Sequence, residues 1–228
     1  MARLLASQGM RVVVNYHSSR DKADDVVASI GPAGRAMAVQ ADVRDGDAVL
    51  GMVEQVRATM GEVEVLVHNA LIPYAIKSFE EISVDELGSK VEQEIRAAFL
   101  VTKAVVPGMI SRGYGRIVYL GAVLSRRPDE GMIALGTAKA ALSSFARFVA
   151  QELGPHGITV NVVAPGPVGG LLHATLDQEQ QQRMAAQTAL GRIASPDDVA
   201  RAVAFYAGDD SAFITGTTAP VNGGLTMD

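Results

Sequence analysis

Short β-branched runs alternate along this chain with longer segments of helical periodicity. This alternation is typical of a parallel sheet whose strands are buried on both faces by helices. We therefore predict an α/β fold with a doubly wound parallel sheet. The predicted strands cover residues 11–16, 36–41, 63–69, 116–121, 159–163 and 218–221. The predicted helices cover residues 21–30, 45–60, 84–111, 132–153 and 196–206, and Pro107 should bend or end the third of them early.

Length and charge exclude several classes of protein. The 228 residues, 48% of them hydrophobic, suffice for one core, and no linker or repeat divides them, so we predict a single domain over residues 1–228. The net charge of −5 argues against a nucleic-acid partner, because no basic stripe is present to neutralise phosphates. Every apolar run is shorter than the roughly 20 residues that a membrane helix needs.

The residues that could hold a metal or form disulfides are few. Cysteine is absent, which excludes a disulfide frame and a thiolate metal site and fits a reducing compartment. His17, His156 and His173 have no metal-ligand spacing. We therefore predict a cytoplasmic protein without a metal site and without a membrane partner.

Several segments resemble the short-chain dehydrogenase/reductase family. The run AKAALSSFARFVAQELGPHGITVNVVAPGPV (138–168) is similar to the family's active-site helix, the strand that follows and a Pro-Gly turn. FITGTTAPVNGG (213–224) resembles its last strand and glycine pair. VVVNYHSSRDKADD (12–25), QADVRD (40–45) and VLVHNA (65–70) resemble earlier strand ends. The similarity spans the chain, implies a Rossmann-like fold and looks nearest to acyl-carrier-protein ketoreductases and divergent enoyl reductases.

The resemblance also implies cofactor-binding residues at the carboxyl ends of the strands, where doubly wound sheets bind their ligands. Asp42 stands where the family uses a carboxylate for the adenine amine, and Lys139 where it holds the nicotinamide ribose. Asn69 ends the family's fourth strand, and Pro165 and Gly166 form the Pro-Gly turn. These positions are the candidate contacts of a dinucleotide.

The segment after the first predicted strand bears on the choice of nucleotide. No carboxylate stands there to hold a ribose 2′-hydroxyl, whereas Arg20 would suit a 2′-phosphate, so NADP(H) is favoured over NAD. The alternative is that Arg20 simply begins a solvated helix.

The family's amino-terminal strand and glycine-rich turn have no counterpart in the sequence. Residues 1–6 resemble only the second half of the helix that follows that turn. The missing strand lies centrally in the family's sheet, so two apolar strands should keep unpaired ladders unless another segment fills the gap. Buried unpaired backbone groups cost roughly 1–3 kcal/mol each. We expect the natural protein to start about 20 residues earlier.

The residues that the family uses for carbonyl reduction are largely replaced. The resemblance implies a Tyr that protonates the carbonyl oxygen, a Lys after three further residues, a Ser at the oxyanion and an Asn in a water relay. Lys139 matches the Lys, whereas Leu135, Ala122 and Glu94 stand at the Tyr, Ser and Asn positions. Because leucine and alanine cannot donate protons, we expect the usual carbonyl activity to be absent or very weak. A purely structural role for Lys139 remains open.

One function that remains open is reduction of an enoyl substrate. Enoyl reductases of this superfamily place a Tyr seven residues before the Lys, and this position is Met132, so that spacing fails as well. Tyr119, in the run YLGA (119–122), nevertheless resembles a turn of some enoyl reductases. Tyr119 and Lys139 are thus candidate catalytic residues, unless Tyr119 is a core residue. We favour an NADP-type reductase of a keto- or enoyl-acyl, polyketide-like substrate, either a small molecule or carrier-bound.

Two other classes of function compete with the reductase. In a non-redox cyclase, isomerase or dehydratase, Glu94 beside apolar walls would have a raised pKa and act as acid or base. Glu94 would otherwise face solvent or pair with Lys90 one turn back. The third class is a catalytically inactive partner subunit. The apolar segments 97–106 and 142–149 favour a homodimer or homotetramer built through these helices.

Overall fold

The computed structural model describes residues 1–31, 34–170 and 177–227. His173 lies outside the described residues. The strands are β1 (Val12–Tyr16), β2 (Ala36–Gln40), β3 (Val65–His68), β4 (Gly115–Leu120), β5 (Ile158–Pro165) and β6 (Thr218–Val221). The helices are α1 (Ala2–Ser7), α2 (Arg20–Ile30), α3 (Gly46–Met60), α4 (Val84–Arg112), α5 (Ile133–Leu153), α6 (Gln178–Ala186) and α7 (Pro196–Ala207). Short 3₁₀ turns cover Val123–Ser125, Gly154–His156 and Asp209–Ser211.

The strands and helices predicted from the sequence are confirmed to within two residues at each end. Helix α6 was not predicted, because it is polar and buries none of its residues, so it carries no apolar periodicity. The prediction that Pro107 could end the third predicted helix early is wrong. That helix, α4, continues to Arg112, held by the buried Val105 and Met109, and stops at Gly113 in the left-handed conformation at φ 63°.

The described strands form two parallel sheets. One contains β1 and β2, and the other has the order β3-β4-β5-β6. Val12 of β1 packs against the same apolar cluster as Val65 and Val67 of β3, so the two sheets lie side by side. No described strand pairs with the facing edges of β1 and β3. The unpaired ladders expected from the sequence thus lie between these two strands.

Helices cover both faces of the larger sheet. Along β4, Ile117 and Tyr119 pack into one core with α3, α4 and α5. Val118 and Leu120 point the other way, into a cluster with α7. This alternation within a fully buried strand explains why its sequence is continuously apolar. The fold is therefore the predicted α/β, Rossmann-like arrangement of parallel strands flanked by helices.

Helix α5 packs on the same face of the larger sheet as α4. The stretch Ile133–His156, which contains it, is the one helix among the described residues long and apolar enough to cross a membrane, by length and composition alone. Leu142 and Ala146 of α5 are buried in the core that this helix shares with α4 and the sheet. Packing against the rest of the protein therefore accounts for its apolar face.

Candidate functional site

The carboxyl ends of the parallel strands meet at one edge of the fold, where ligands bind in open α/β sheets. Residues just beyond β1, β2, β3 and β4 include Arg20, Asp42, Asn69 and Ala122. Lys139 reaches the same edge from α5, because its ammonium donates to the carbonyl oxygen of Leu120 at the end of β4, at 2.6 Å. These five residues therefore lie along one edge, with the gap between β1 and β3 dividing them.

A buried ion cluster occupies the β3–β4 half of this edge. The Glu94 carboxylate accepts from the Lys139 ammonium at 2.7 Å through Oε1 and from the Lys90 ammonium at 2.5 Å through Oε2. Lys90 also donates to the carbonyl oxygen of Ile72 at 2.9 Å and lies over the Tyr74 ring. All three charged side chains are buried. The expected pairing of Glu94 with Lys90 is confirmed, and the alternative that Glu94 faces solvent is wrong.

The expectation of a raised pKa at Glu94 is also wrong. Burial alone raises the pKa of this carboxyl, but the ammonium groups of Lys139 and Lys90 outweigh it and hold the pKa below its ordinary value. The site thus contains a carboxylate that stays ionised rather than a proton carrier. Burial lowers the pKa of Lys90, which Glu94 partly offsets.

The positions that would supply protons to a carbonyl are apolar. Leu135 lies one turn before Lys139 on α5 and is buried. Ala122 precedes the turn Val123–Ser125, and the Ser125 hydroxyl donates back to the Ala122 carbonyl oxygen at 2.9 Å. This nearby hydroxyl is thus engaged by the backbone. Lys139 therefore stands beside a leucine and an alanine where the family resemblance implies a hydroxyl pair.

Tyr119 lies in the core. Its side chain is fully buried, packs near Phe145 and has its hydroxyl oxygen 2.6 Å from Oγ1 of Thr102. Burial raises the pKa of Tyr119 well above its ordinary value. The phenol lies on the α4–α5 side of β4, so the structure favours the alternative that Tyr119 is a core residue.

His68 is buried at the end of β3, close to the ion cluster. Its position directly after the apolar run of residues 65–67 is the sequence signal for a polar side chain at the end of a strand. Its Nε2 atom has no hydrogen-bond partner among the described residues. Burial, reinforced by the charge of Lys139 and opposed by that of Glu94, lowers the pKa of His68 to about 4. The imidazole is therefore neutral near pH 7.

This buried histidine predicts an acid-sensitive fold. Histidine in an unfolded chain has a pKa of about 6.5. Between pH 6.5 and pH 4, His68 is therefore protonated in the unfolded chain but not in the folded chain. Stability is therefore full above pH 6.5 and falls as the pH drops toward 4, with about 2 kcal/mol lost between pH 7 and pH 5 from this group. Urea unfolding at both pH values should show that His68→Asn removes this loss. The exposed His17→Asn serves as control and should keep it; an unchanged pH dependence in His68→Asn would contradict the prediction.

The β1–β2 half of the edge is organised by Asp42. Its carboxylate accepts from the guanidinium and backbone N–H of Arg44, the shortest contact being 2.7 Å from Nη2, and His17 lies 3.7 Å away. These bonds, chiefly the side-chain bond from Arg44, lower the pKa of Asp42 to about 2. Arg44 also donates to Gln93 Oε1 at 2.9 Å, which ties this half to α4 next to Glu94. Arg44 was not predicted as a site residue, although the spacing D-x-R after β2 is visible in the sequence.

The other candidate cofactor contacts have simple surroundings. Arg20 is the first residue of α2, is exposed, and pairs with Asp24 at 3.4 Å. Asn69 is exposed just after β3. Pro165 ends β5, and Gly166 follows with its N–H donating to the Val221 carbonyl oxygen at 3.1 Å.

Gly166 has a structural reason to be glycine. A Cβ at this position would lie 3.0 Å from the Cβ of Asn222. The close approach of the segments that follow β5 and β6 thus favours a residue without a side chain, with or without a ligand. The Pro-Gly turn alone is therefore not a sign of cofactor binding.

The described residues fit a dinucleotide in part. At one end, Arg20 could meet a 2′-phosphate and the Asp42 carboxylate an adenine amine, in competition with Arg44. At the other end, the Lys139 ammonium has committed two of its three N–H donors to Glu94 and Leu120. Between β1 and β3, the described residues provide no glycine-rich turn before a helix for a pyrophosphate.

The described residues contain no group of three or more His, Cys, Asp or Glu side chains that could hold a metal ion. The polar chemistry of this edge therefore rests on the ion cluster and on Asp42 with Arg44.

The chain resembles known reductases over its whole length. The family profile described as Enoyl-(Acyl carrier protein) reductase matches residues 1–226. The chain is 33% identical over 227 residues to 3-oxoacyl-[acyl-carrier-protein] reductase FabG of Escherichia coli, covering 100% of this chain and 91% of the relative. It is 34% identical over 230 residues to the protein of that name from Staphylococcus epidermidis, covering 100% and 93%.

Solved structures agree with the sequence comparison. A double mutant of a Serratia marcescens short-chain dehydrogenase/reductase superposes with a TM-score of 0.88 at 30% identity, covering 99% of this chain and 91% of that one. These matches agree with the position of Lys139 on α5 at the carboxyl edge of the sheet. The chain belongs to the enoyl-(acyl carrier protein) reductase family of short-chain dehydrogenases/reductases.

Proposed function

We propose that this protein is an NADP(H)-type reductase of a keto- or enoyl-acyl substrate, in which ordinary carbonyl reduction is absent or very weak. The proposal rests on one observation: Lys139 is retained at the end of β4, whereas positions 135 and 122 hold leucine and alanine. The retained lysine supports a site descended from a reductase. The apolar neighbours remove the proton donors that reduction of a ketone requires.

The acyl nature of the substrate is proposed from the relatives. The curated proteins are 3-oxoacyl-[acyl-carrier-protein] reductases, and the family description names an enoyl substrate on the same carrier. Of the two, the enoyl substrate suits this site better. Conjugate reduction leaves an enolate whose carbon takes its proton from water, so a hydroxyl on the protein is not needed for that step. We propose a carrier-bound or small-molecule acyl thioester in the cytoplasm.

The competing functions have less support. A cyclase, isomerase or dehydratase would need a proton carrier, and Glu94, its candidate, is held ionised by two lysines. A catalytically inactive partner subunit remains the alternative to the reductase.

We also propose assembly with copies of the same chain. Most apolar residues of segments 97–106 and 142–149 are used in the monomer's own core, among them Ala97, Val101 and Leu142. Phe99 and Phe148 remain 49% and 70% exposed on α4 and α5. These two rings are what a homodimer or homotetramer built on these helices would bury.

Nucleotide titration tests the reductase proposal. NADPH, followed by its fluorescence, should bind more tightly than NADH, and Arg20→Met should reduce that preference by about tenfold, because one charge contact to the 2′-phosphate is lost. The exposed Arg3→Met on α1 is the matched control. The titration is done with the 228-residue chain and with a longer chain that also contains the residues encoded upstream of Met1. Binding of neither nucleotide by either chain would end the redox proposal and leave the partner-subunit alternative.

A further inference from the structure

The ion cluster of Lys90, Glu94 and Lys139 has an unbalanced charge. Two ammonium groups share one carboxylate, which gives the cluster a formal charge of +1. The side chains of Lys90 and Glu94 are 1% and 0% exposed, and that of Lys139 is 8% exposed. An excess positive charge buried in this way is unfavourable unless an anion or a strong dipole compensates it.

One N–H group of the Lys139 ammonium has no hydrogen-bond acceptor among the described residues. Each ammonium has three N–H groups. Lys90 uses two, on Glu94 and the Ile72 carbonyl oxygen, and presents its ammonium to the Tyr74 ring. Both Glu94 oxygens accept from a lysine. Lys139 also uses two, on Glu94 and the Leu120 carbonyl oxygen, and its third N–H has no partner among the described residues.

The surroundings of Lys139 would strengthen its attraction for an anion. Leu135 lies one helical turn away, and its side chain offers no counter-charge. Besides Glu94 and Lys90 on α4, the ionisable side chains near Lys139 and its partners include His68 at the end of β3, which is neutral near pH 7, and Tyr74, whose ring lies under Lys90. Charge–charge attraction is larger beside such low-dielectric walls than in water. The excess charge can therefore be compensated at the free N–H of Lys139.

We propose that Lys139 binds the negatively charged oxygen of an acyl enolate, and that Lys90, acting through Glu94, keeps the net charge at +1. The inference rests on the proposed function, because it takes an acyl ligand as the occupant. Lys139 is then the group that touches the ligand, and Lys90 and Glu94 are positioning residues. In the test below the ligand's α-carbon releases its proton to solvent and the electron pair moves onto the carbonyl oxygen, with no other bond changed.

A 1,3-dicarbonyl thioester reports this binding directly. The probe is S-acetoacetyl-N-acetylcysteamine, which is neutral until it ionises to an enolate with its own near-ultraviolet absorption band. Calorimetry measures whether it binds, and absorbance against pH measures its ionisation midpoint when bound. Neither measurement needs the dinucleotide or turnover. A unit positive charge at contact distance should lower the bound probe's pKa by about one to three units, which is at least a tenfold larger enolate fraction below the midpoint.

Charge variants separate this role from a structural one. Lys90→Met brings the cluster to a net charge of zero and should abolish the shift, whereas Lys90→Met with Glu94→Gln returns the charge to +1 and should restore it. Lys103→Met removes an equal charge from the exposed face of the same helix and should leave the shift unchanged. Melting temperatures of all variants show whether the shift merely follows stability.

The possible results distinguish the enolate proposal from the reductase proposal. A shift in the wild type that Lys90→Met abolishes and Lys103→Met keeps supports the proposal, even where the double variant does not fold. A bound probe without a shift, or a shift that Lys90→Met leaves intact, overturns it while the reductase proposal survives. Absence of binding overturns the inference and removes the acyl ligand from the proposed function, whereas NADPH binding is judged by the titration above.

Discussion

Glu94→Gln should lower the free energy of unfolding by about 3–5 kcal/mol, because it leaves two buried ammonium groups without their carboxylate. The glutamine has the same shape, but its amide nitrogen cannot accept, so the variant loses the charge and one of the two hydrogen bonds from the lysines. Domains of this size have about 5–15 kcal/mol of stability in total. Urea unfolding at pH 7 measures the change, and the variant should be marginally folded at that pH.

The matched control for this variant lies two residues earlier on the same helix. Glu92 is exposed, so Glu92→Gln makes the same chemical change in solvent and should alter stability by less than about 0.5 kcal/mol. Adding Lys90→Met to Glu94→Gln removes one of the stranded charges and should recover part of the loss. Equal stabilities for the Glu94 and Glu92 variants would show that the cluster's charges are not held in the way the distances indicate.

The order of elements could be predicted from the sequence because it follows from local patterns. β-branched runs with no polar face, such as β4 and β5, indicate strands buried on both sides, and residues like Gly113 mark helix ends. Helix α6 could not be found in this way, since it is held by its capping box at Asp177 and buries nothing. Local signals therefore predict the fold wherever burial forces a pattern.

The site was predicted less completely, because its properties depend on contacts between distant segments. The spacing of four residues suggested the Lys90–Glu94 pair, but not that Lys139, from another helix, binds the other oxygen of the same carboxylate. Burial alone would raise the pKa of Glu94, and the two lysines together reverse the direction, Lys139 contributing most. The burial of Tyr119 likewise depends on Phe145 and Thr102, which lie on other elements.

Leu135→Tyr combined with Ala122→Ser should raise NADPH-dependent reduction of an acetoacetyl thioester by about 10²–10⁴-fold over the wild-type chain. Residue 135 lies one turn before Lys139, so a phenol there is on the same face of α5 as the ammonium, whose charge lowers the phenol's pKa. A serine at 122 adds a second donor at the end of β4. The variant thus returns a proton donor and an oxyanion donor to a site where the lysine is already in place.

The control for this gain is Leu135→Phe with Ala122→Ser, which supplies the same ring without its hydroxyl. It should stay near the wild-type rate, because filling the space does not provide a proton. Rates are compared at NADPH concentrations that saturate each variant in the titration, so that cofactor affinity and proton donation are separated. If the tyrosine variant binds NADPH and the thioester yet reduces it no faster than the phenylalanine variant, then missing donors are not what limits this site, and the commitment of Lys139 to Glu94 and Leu120 becomes the explanation to test.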